Sequence, residues 1–486
     1  MTNGKTILII QCRVRSTRLP GKALMPFLGN MTMLDFLLTR LSKLANVQEV
    51  VLTTGKDPAN DPIEKISNNH TIQCFRGDEE DVLSRFLKAA IATDAETIVR
   101  VCADNPLTDP RLIDELITFY HSRNDIDHLA TFDQPSLPYG VGCAIFSLEA
   151  LKLTDKSCGL NDPSREHIEP FMLQSMAIKT FHYIAKTQCH FPALRVTVDE
   201  KRDFDFVQPL ADALVRRFGL DFITEELVNL VSAPKIALFA NGTLGLKGAQ
   251  FLKSIQANIA VLVLHPKSTA TDREEIIETL NLSPSSVIDY SEIKEKGIEF
   301  FEDNGCDIAL SLWSSYIFKS DLIKKFPLGV YNLHNSLLPA LGGSGANIWT
   351  FLLNLKESGA SLHRVTAQID QGPIIDQRAF PVLKDDTGGS LYDKQQAMML
   401  ALLKENWKDL CIGNYSYKIS TEEVSYFKKS ERDEQKCIDL AQNLSVNEIL
   451  NIIRGYQFND TDSAYFVDEN GQKWNVRLAI TPREEK

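Results

Sequence analysis

SAPKIALFANG (232–242) reads as a turn, a buried strand and a second turn, and at this point the chain starts a fold for the second time. A helical segment follows it, and then another strand-like run, IAVLVLHP (259–266). The chain opens in the same order. KTILIIQ (5–11), VQEVVLTT (47–54), ETIVRVCA (96–103) and ALRVTVD (193–199) are expected strands. MLDFLLTRLSKL (33–44) and DVLSRFLKAAIA (81–92) space their apolar residues as helices do. Strand and helix in alternation imply α/β layering around a largely parallel sheet.

Two such starts predict an α/β fold class: two Rossmann-like α/β domains with mainly parallel sheets, at 1–230 and 233–420. The join around 225–234 is short, so a compact connection is expected rather than a loose tether. Beyond about 420 the pattern changes. SVNEILNIIRGY (445–456) reads as a helix, and AYFVDENGQKWNVRLAI (464–480) as a hairpin turning at Glu469-Asn470-Gly471. Residues 421–486 are therefore expected to form a small C-terminal α+β subdomain.

The totals agree with globular domains. The chain has 486 residues, 44% of them hydrophobic, and a formal net charge of −12 from 52 Lys and Arg against 64 Asp and Glu. That balance argues against a protein that coats nucleic acid, which needs clustered cations. It leaves room for phosphorylated small molecules, which need only local cations and backbone amides. Nine scattered cysteines with no C-x-x-C pair predict reduced structural thiols rather than a zinc site or disulfide framework. MTNGKTILIIQ does not have the layout of a signal peptide, and no run approaches the ~20 apolar residues of a membrane helix. A cytoplasmic protein is expected, with small-molecule substrates, no nucleic-acid or membrane partner, and a homodimer as the candidate assembly.

The most informative stretch for chemistry is YNLHNSLLPALGGSGANIW (331–349), continued by HRVTAQIDQGPIIDQ (363–377). Asn332 and His334 stand two apart, so on a strand end both side chains face one side. Gly342, Gly343 and Gly345 permit a tight loop where backbone approaches a ligand, and Asp370 follows in an Asp-Gln-Gly turn. An amide donor, an imidazole and a carboxylate together suit acyl transfer: oxyanion stabilisation, proton handling and orientation of the imidazole. This stretch resembles the folate-dependent formyltransferases, a family that includes methionyl-tRNA, glycinamide ribonucleotide and sugar N-formyltransferases. Their Asn-x-His-x-Ser-Leu-Leu-Pro signature is met from Asn332 to Pro339, and their Asp-x-Gly turn by Asp370 and Gly372. The likeness covers roughly 235–420 and includes CDIALSLWSSYIFKSDLI (306–323). It implies N10-formyltetrahydrofolate as donor and a primary amine as acceptor, with Asn332, His334 and Asp370 catalytic. It also implies a folate contact along Trp313, Ser314, Ser315 and Tyr316.

NGTLGLKG (241–248) invites a dinucleotide reading but fails it. Its glycines are three apart, and the next strand ends in His265-Pro266 without the acidic residue that would hold a ribose. A strand-to-helix turn is expected instead. For the acceptor, residues 421–486 carry nine Lys and Arg against thirteen Asp and Glu, a poor surface for tRNA. The tail resembles the C-terminal region of sugar N-formyltransferases, which implies an amino sugar.

In the first half, IIQCRVRSTRLPGKAL (9–24) places Arg13, Ser16, Arg18 and Lys22 in a loop after the first strand, a natural triphosphate cradle. Asp104 and Asp199 are expected at strand ends, where two carboxylates can hold Mg²⁺ against a triphosphate. These features resemble the cytidylyltransferases that activate sugar acids, in particular their spore-coat polysaccharide (SpsF-type) branch. The branch's phosphate-loop motif is met by Gln11, Arg13, Ser16, Thr17, Arg18, Leu19, Pro20, Gly21 and Lys22. Its Asp-x-Pro motif is met by Asp104–Pro110, its Arg-Glu-His by Arg165, Glu166 and His167, and its Val-Asp by Val198 and Asp199. The likeness implies CTP as substrate, with Mg. Three positions depart from it: Arg15 stands where Gly is usual, and Gly142 and Ala144 stand where two acidic residues are usual. The expectation is a bifunctional sugar-modifying enzyme. The alternatives are a non-catalytic nucleotide-sugar-binding first half, and a methionyl-tRNA formyltransferase-like activity.

Overall fold

The computed structural model describes residues 4–132, 135–420, 425–458 and 463–480. It divides into two compact units, residues 1–232 and 233–486.

In the first unit, strands β1 (Thr6–Gln11), β2 (Glu49–Gly55), β3 (Gln73–Gly77), β4 (Thr97–Cys102), β5 (His128–Ala130), β6 (Ala144–Ser147) and β7 (Thr180–His182) form one sheet. Its order is β3-β2-β1-β4-β6-β5-β7. The pairs among β1 to β4 are parallel, and β6 runs antiparallel to both β4 and β5. β1 is central because Ile7, Leu8, Ile9 and Ile10 are all fully buried, leaving no water-facing side. Helices α1 (Met33–Leu41), α2 (Val82–Ala92), α3 (Pro110–His121) and α4 (Lys201–Phe218) cover the sheet; Thr32 opens α1 with a capping box to Asp35.

One expected strand is not there. Residues 193–199 run extended but join no sheet; a single bridge links Arg195 to Tyr139. Their backbone groups are spent elsewhere: Tyr139 N–H donates to Leu194 O, Val196 N–H to Tyr139 O, and Val198 N–H to Asp104 O. A helix, Thr224–Ser232, closes the first unit.

In the second unit, β8 (Lys235–Ala240), β9 (Asn258–Leu264), β10 (Val287–Asp289), β11 (Ile308–Leu312), β12 (Val330–His334), β13 (Glu357–Arg364) and β14 (Ile374–Pro381) form a sheet ordered β10-β9-β8-β11-β12-β13-β14. The first five positions are parallel, and β13 and β14 close the edge as antiparallel strands. NGTLGLKG is the strand-to-helix turn opening α5 (Gly242–Ser254). Helix α6 (Gly388–Ile412) packs on β13, and α7 (Val446–Tyr456) on the helix Ala346–Leu352. The hairpin β15 (Ala464–Val467) and β16 (Lys473–Val476) shares a small core with α7, through Ile438, Ile453, Tyr456 and Ala464.

Candidate functional site

In an open parallel sheet, ligands bind beyond the carboxyl ends of the strands, and the chemically distinctive residues of the second unit stand there. β12 ends with Asn332 and His334 on one side of the strand. His334 is buried, and its Nε2 lies 2.9 Å from the carbonyl oxygen of Leu341. A carbonyl only accepts, so Nε2 carries a proton, and Nδ1 is the ring's other face. That Nδ1 stands 3.8 Å from Asp370 Oδ2, whose other firm contact is a 2.9 Å bond accepted from Gly343 N–H. The loop from Pro339 to Gly345 thus ties His334 and Asp370 together through backbone groups. Leu341 and Asp370 both hold left-handed backbone, at φ 58° and 55°. For non-glycine residues such conformations cost of order 1–3 kcal/mol each and gather at functional sites. Here they aim the Leu341 carbonyl at one imidazole and the Asp370 carboxylate at two.

The second imidazole is His363, which belongs to neither the Asn-x-His signature nor the Asp-x-Gly turn. It pairs with Asn332 in the antiparallel register of β12 and β13. Asn332 Nδ2 lies 3.0 Å from His363 Nε2, and Asp370 Oδ1 is 3.8 Å from the same nitrogen. Burial pushes the His363 pKa down to about 4; the Asp370 carboxylate opposes this and His334 adds to it. His363 is therefore neutral at physiological pH. Its Nδ1 faces the Arg364 carbonyl at 3.4 Å, so Nε2 accepts from the Asn332 amide. That fixes one amide N–H of Asn332 and leaves the other for a ligand oxygen. The only sequence signal for His363 was cross-strand pairing, which becomes readable once register is known.

Trp313, Ser314, Ser315 and Tyr316 follow β11, the strand beside β12. Trp313 has φ 63° and meets Tyr392 edge-on at 5.2 Å. His265 anchors this loop by accepting the Ser315 N–H at 3.1 Å; burial lowers the pKa of its ring. Leu338, Pro339, Asp370, Gln371, Gly372 and Ile374 line a small cleft next to the catalytic candidates.

In the first unit the loop after β1 is closed by Gly21 N–H on Val14 O, and Val14 N–H in turn donates to Asn60 Oδ1 at 2.9 Å. Lys22 Nζ meets Asp104 Oδ2 at 2.9 Å, Val198 O at 2.7 Å and Asp199 Oδ1 at 3.2 Å. Arg18 reaches the same Oδ1 of Asp199 at 2.9 Å. Burial raises the Asp199 pKa, but Lys22, Arg18 and Arg195 outweigh it and hold the carboxyl below its usual range. Arg13 pairs with Glu166 at 2.6 Å, and Ser16 stands half-buried in the same loop. Arg15 turns to Asp57 at 2.6 Å and does not join the Lys22 cluster.

The structure thus brings Asp104 and Asp199 together, although Asp199 ends an extended strap and not a strand. Asp104 and Asp199 each bring a carboxylate oxygen to the one Lys22 ammonium, and such converging hard oxygens are the donor type that fits Mg²⁺. Among the described residues no three His, Cys, Asp or Glu side chains gather as a metal cluster, so a cation here would take its remaining oxygens from substrate and water. Gly142 and Ala144 are buried, and Ala144 lies opposite Arg100. The Arg100 guanidinium finds its carboxylate in Glu169 at 2.6 Å, so the missing acids leave no unbalanced charge there. Of the Arg-Glu-His motif, Glu166 reaches the loop, Arg165 is bound by Asp81 and Asp155, and His167 is exposed.

All nine cysteines are free, and among the described residues no helix is long and apolar enough to cross a membrane. The cytidylyltransferase family model matches residues 7–234. The formyl transferase model matches 235–405, and the N-formyltransferase dimerization C-terminal domain model 431–482. The spore coat polysaccharide biosynthesis protein SpsF of Bacillus subtilis is 30% identical over 238 residues, covering 46% of this chain and 93% of that protein. A dTDP-4-amino-4,6-dideoxyglucose formyltransferase of Mycobacterium tuberculosis is 26% identical over 178 residues, covering 37% of this chain and 75% of that protein. Among solved structures, a cytidylyltransferase from Leptospira borgpetersenii is similar to the first half, with 29% identity, a TM-score of 0.44, and coverage of 47% of this chain and 94% of that one.

Proposed function

The chain belongs to the cytidylyltransferase family through its first half and carries a formyl transferase domain in its second, and from that premise we propose that it both formylates an amino sugar and transfers a nucleotide in making an activated sugar. The observation that carries the formyl-transfer reading is the convergence of Asn332, His334 and Asp370 at the carboxyl edge of β12, with His363 fixing the Asn332 amide. With N10-formyltetrahydrofolate as donor, the free N–H of Asn332 donates to the formyl oxygen as the amine attacks the formyl carbon. The carbon–N10 bond breaks as the proton lost by the amine passes to His334 Nδ1, where Asp370 stabilises the imidazolium, and His334 returns that proton to the departing N10. Trp313 to Tyr316 form the adjoining wall for the folate.

In the first unit, Arg13, Ser16, Arg18 and Lys22 bind the triphosphate of CTP. Asp104 and Asp199 hold Mg²⁺, which supplies charge neutralisation at the phosphates when bound. The acceptor is a sugar acid or a related sugar phosphate, and the product serves surface-glycan assembly in the cytoplasm. Residues 431–482 are the segment through which two copies would pair.

The test is a pair of separate assays, labelled formyl donor with amino sugars and CTP with anionic sugars. Formyl transfer to methionyl-tRNA in place of any amino sugar would refute the acceptor assignment. A second reading, a nucleotide-sugar-binding first half without catalysis, is favoured by Gly142 and Ala144. Mg²⁺-dependent pyrophosphate release abolished in Asp104→Asn would exclude it.

A further inference from the structure

The extended strap 193–199 carries a cation that the triphosphate loop does not account for. Asp199 sorts its partners by oxygen: Arg18 and Lys22, both from the loop after β1, sit on Oδ1, whereas Arg195 sits on Oδ2. Arg195 thus uses an oxygen of Asp199 that neither loop cation touches. Its side chain is 46% exposed, yet its position is fixed. The guanidinium lies over the Tyr139 ring at 5.0 Å, and Phe132 braces that ring edge-on at 5.7 Å. The backbone is pinned on both flanks by the bonds between Tyr139 and Leu194 and Val196, and by Val198 N–H on Asp104 O. Gly140, at φ 111°, makes this contact possible, since a Cβ there would stand 2.8 Å from Thr197 N. Among the described residues the one charged partner of Arg195 is Asp199, and a guanidinium has more donors than that one pair uses.

We propose that Arg195 is the acceptor-anion residue of the first unit, binding the carboxylate or phosphate oxygens of the substrate that receives the nucleotide. In-line displacement at the α-phosphorus needs the nucleophile opposite the departing pyrophosphate. With the loop cations Arg18 and Lys22 assigned to the triphosphate, Arg195, on the other oxygen of Asp199, is assigned to the nucleophile's side. A stacked guanidinium suits an anionic group because its geometry is set before binding, and a fork matches two oxygens at once. This inference rests on the nucleotidyl-transfer reading of the first unit.

The experiment uses the full chain and the variants Arg195→Ala and Arg195→Lys. Probes are CTP with 3-deoxy-manno-octulosonate or N-acetylneuraminate as acids, and glucose 1-phosphate as phosphate. Whichever class binds, Arg195→Ala is expected to raise its KM about 100-fold while the CTP KM stays within about twofold, the loss of a charge-assisted pair. Arg195→Lys should recover part of this, and formyl transfer should not move. An unchanged acceptor KM, or a CTP KM that rises in step, overturns the proposal. Calorimetric binding of the same probes separates the two claims. If wild type binds an acid or phosphate but releases no pyrophosphate, nucleotidyl transfer fails, and the role of Arg195 is read from the affinity lost in Arg195→Ala. Wild type that binds neither class overturns the inference itself.

Discussion

In the second unit, His334 and His363 are buried and their hydrogen bonds run to uncharged partners, a Leu341 carbonyl and an Asn332 amide, while Asp370 is held by a backbone N–H. In the first unit, Lys22, Arg18 and Arg195 are balanced directly by Asp104 and Asp199 through ion pairs that reach solvent. The hydrogen-bonded arrangement is complete before any substrate arrives, because backbone geometry and strand register have set it. Under the proposed nucleotidyl transfer, the ion-paired arrangement would exchange partners: a triphosphate would draw Lys22 and Arg18 away and free the carboxylates for a cation. One site is preorganised and the other is poised, so they should fail differently.

The largest expected effect falls on the preorganised site. His334→Ala or Asp370→Ala should lower formyl-transfer kcat by about 10³-fold with folate affinity retained, as loss of proton handling and its support predicts. Single-turnover assays with labelled donor test this; a parallel fall in pyrophosphate release would break the contrast between the sites. Next, Lys22→Ala should reduce CTP-dependent pyrophosphate release by about 10²-fold, mainly through KM for CTP, because one charge-assisted phosphate contact is lost. A kcat-only effect would count against partner exchange. Third, raising ionic strength from about 0.05 to 0.5 M should weaken CTP binding about tenfold and change formyl transfer less than about twofold, since screening acts on exposed charges. Equal salt sensitivity in both assays would refute the distinction.

The smallest effect is on stability. His363 has a folded pKa lowered from 6.5 to about 4, so between these values the unfolded chain binds more protons. Its contribution is full above about pH 6.5 and is lost as pH falls toward about 4. Thermal melting of the second unit should therefore drop across that window, and less steeply in His363→Gln. An identical pH profile in the variant would mean that the imidazole is not neutral in the fold.

What could be read from the sequence followed the range of the interactions. Asn332 and His334 are two residues apart, so strand periodicity alone places them on one side, and both lie on β12. Asp370 stands 36 positions after His334, and only family likeness linked them; the link is the Gly343 N–H, which no pattern encodes. His363 depends on antiparallel register, which is set by tertiary pairing. ALRVTVD looked like a strand because it alternates β-branched residues, but its hydrogen bonds go to Tyr139 and Asp104 and not to a neighbouring strand. The α/β alternation and the restart near 233 were legible because buried parallel strands are written as continuous apolar runs.

Gly142 couples its own position to Thr131. A Cβ there would stand 2.6 Å from Thr131 Oγ1 and 3.1 Å from its Cβ, and that hydroxyl is held by the Cys143 carbonyl at 2.8 Å. A side chain at 142 therefore requires Thr131 to move, at the cost of that hydrogen bond, or to become smaller. Positions 131 and 142 are thus one packing unit, and Gly142→Asp should be better tolerated beside Thr131→Ala than alone.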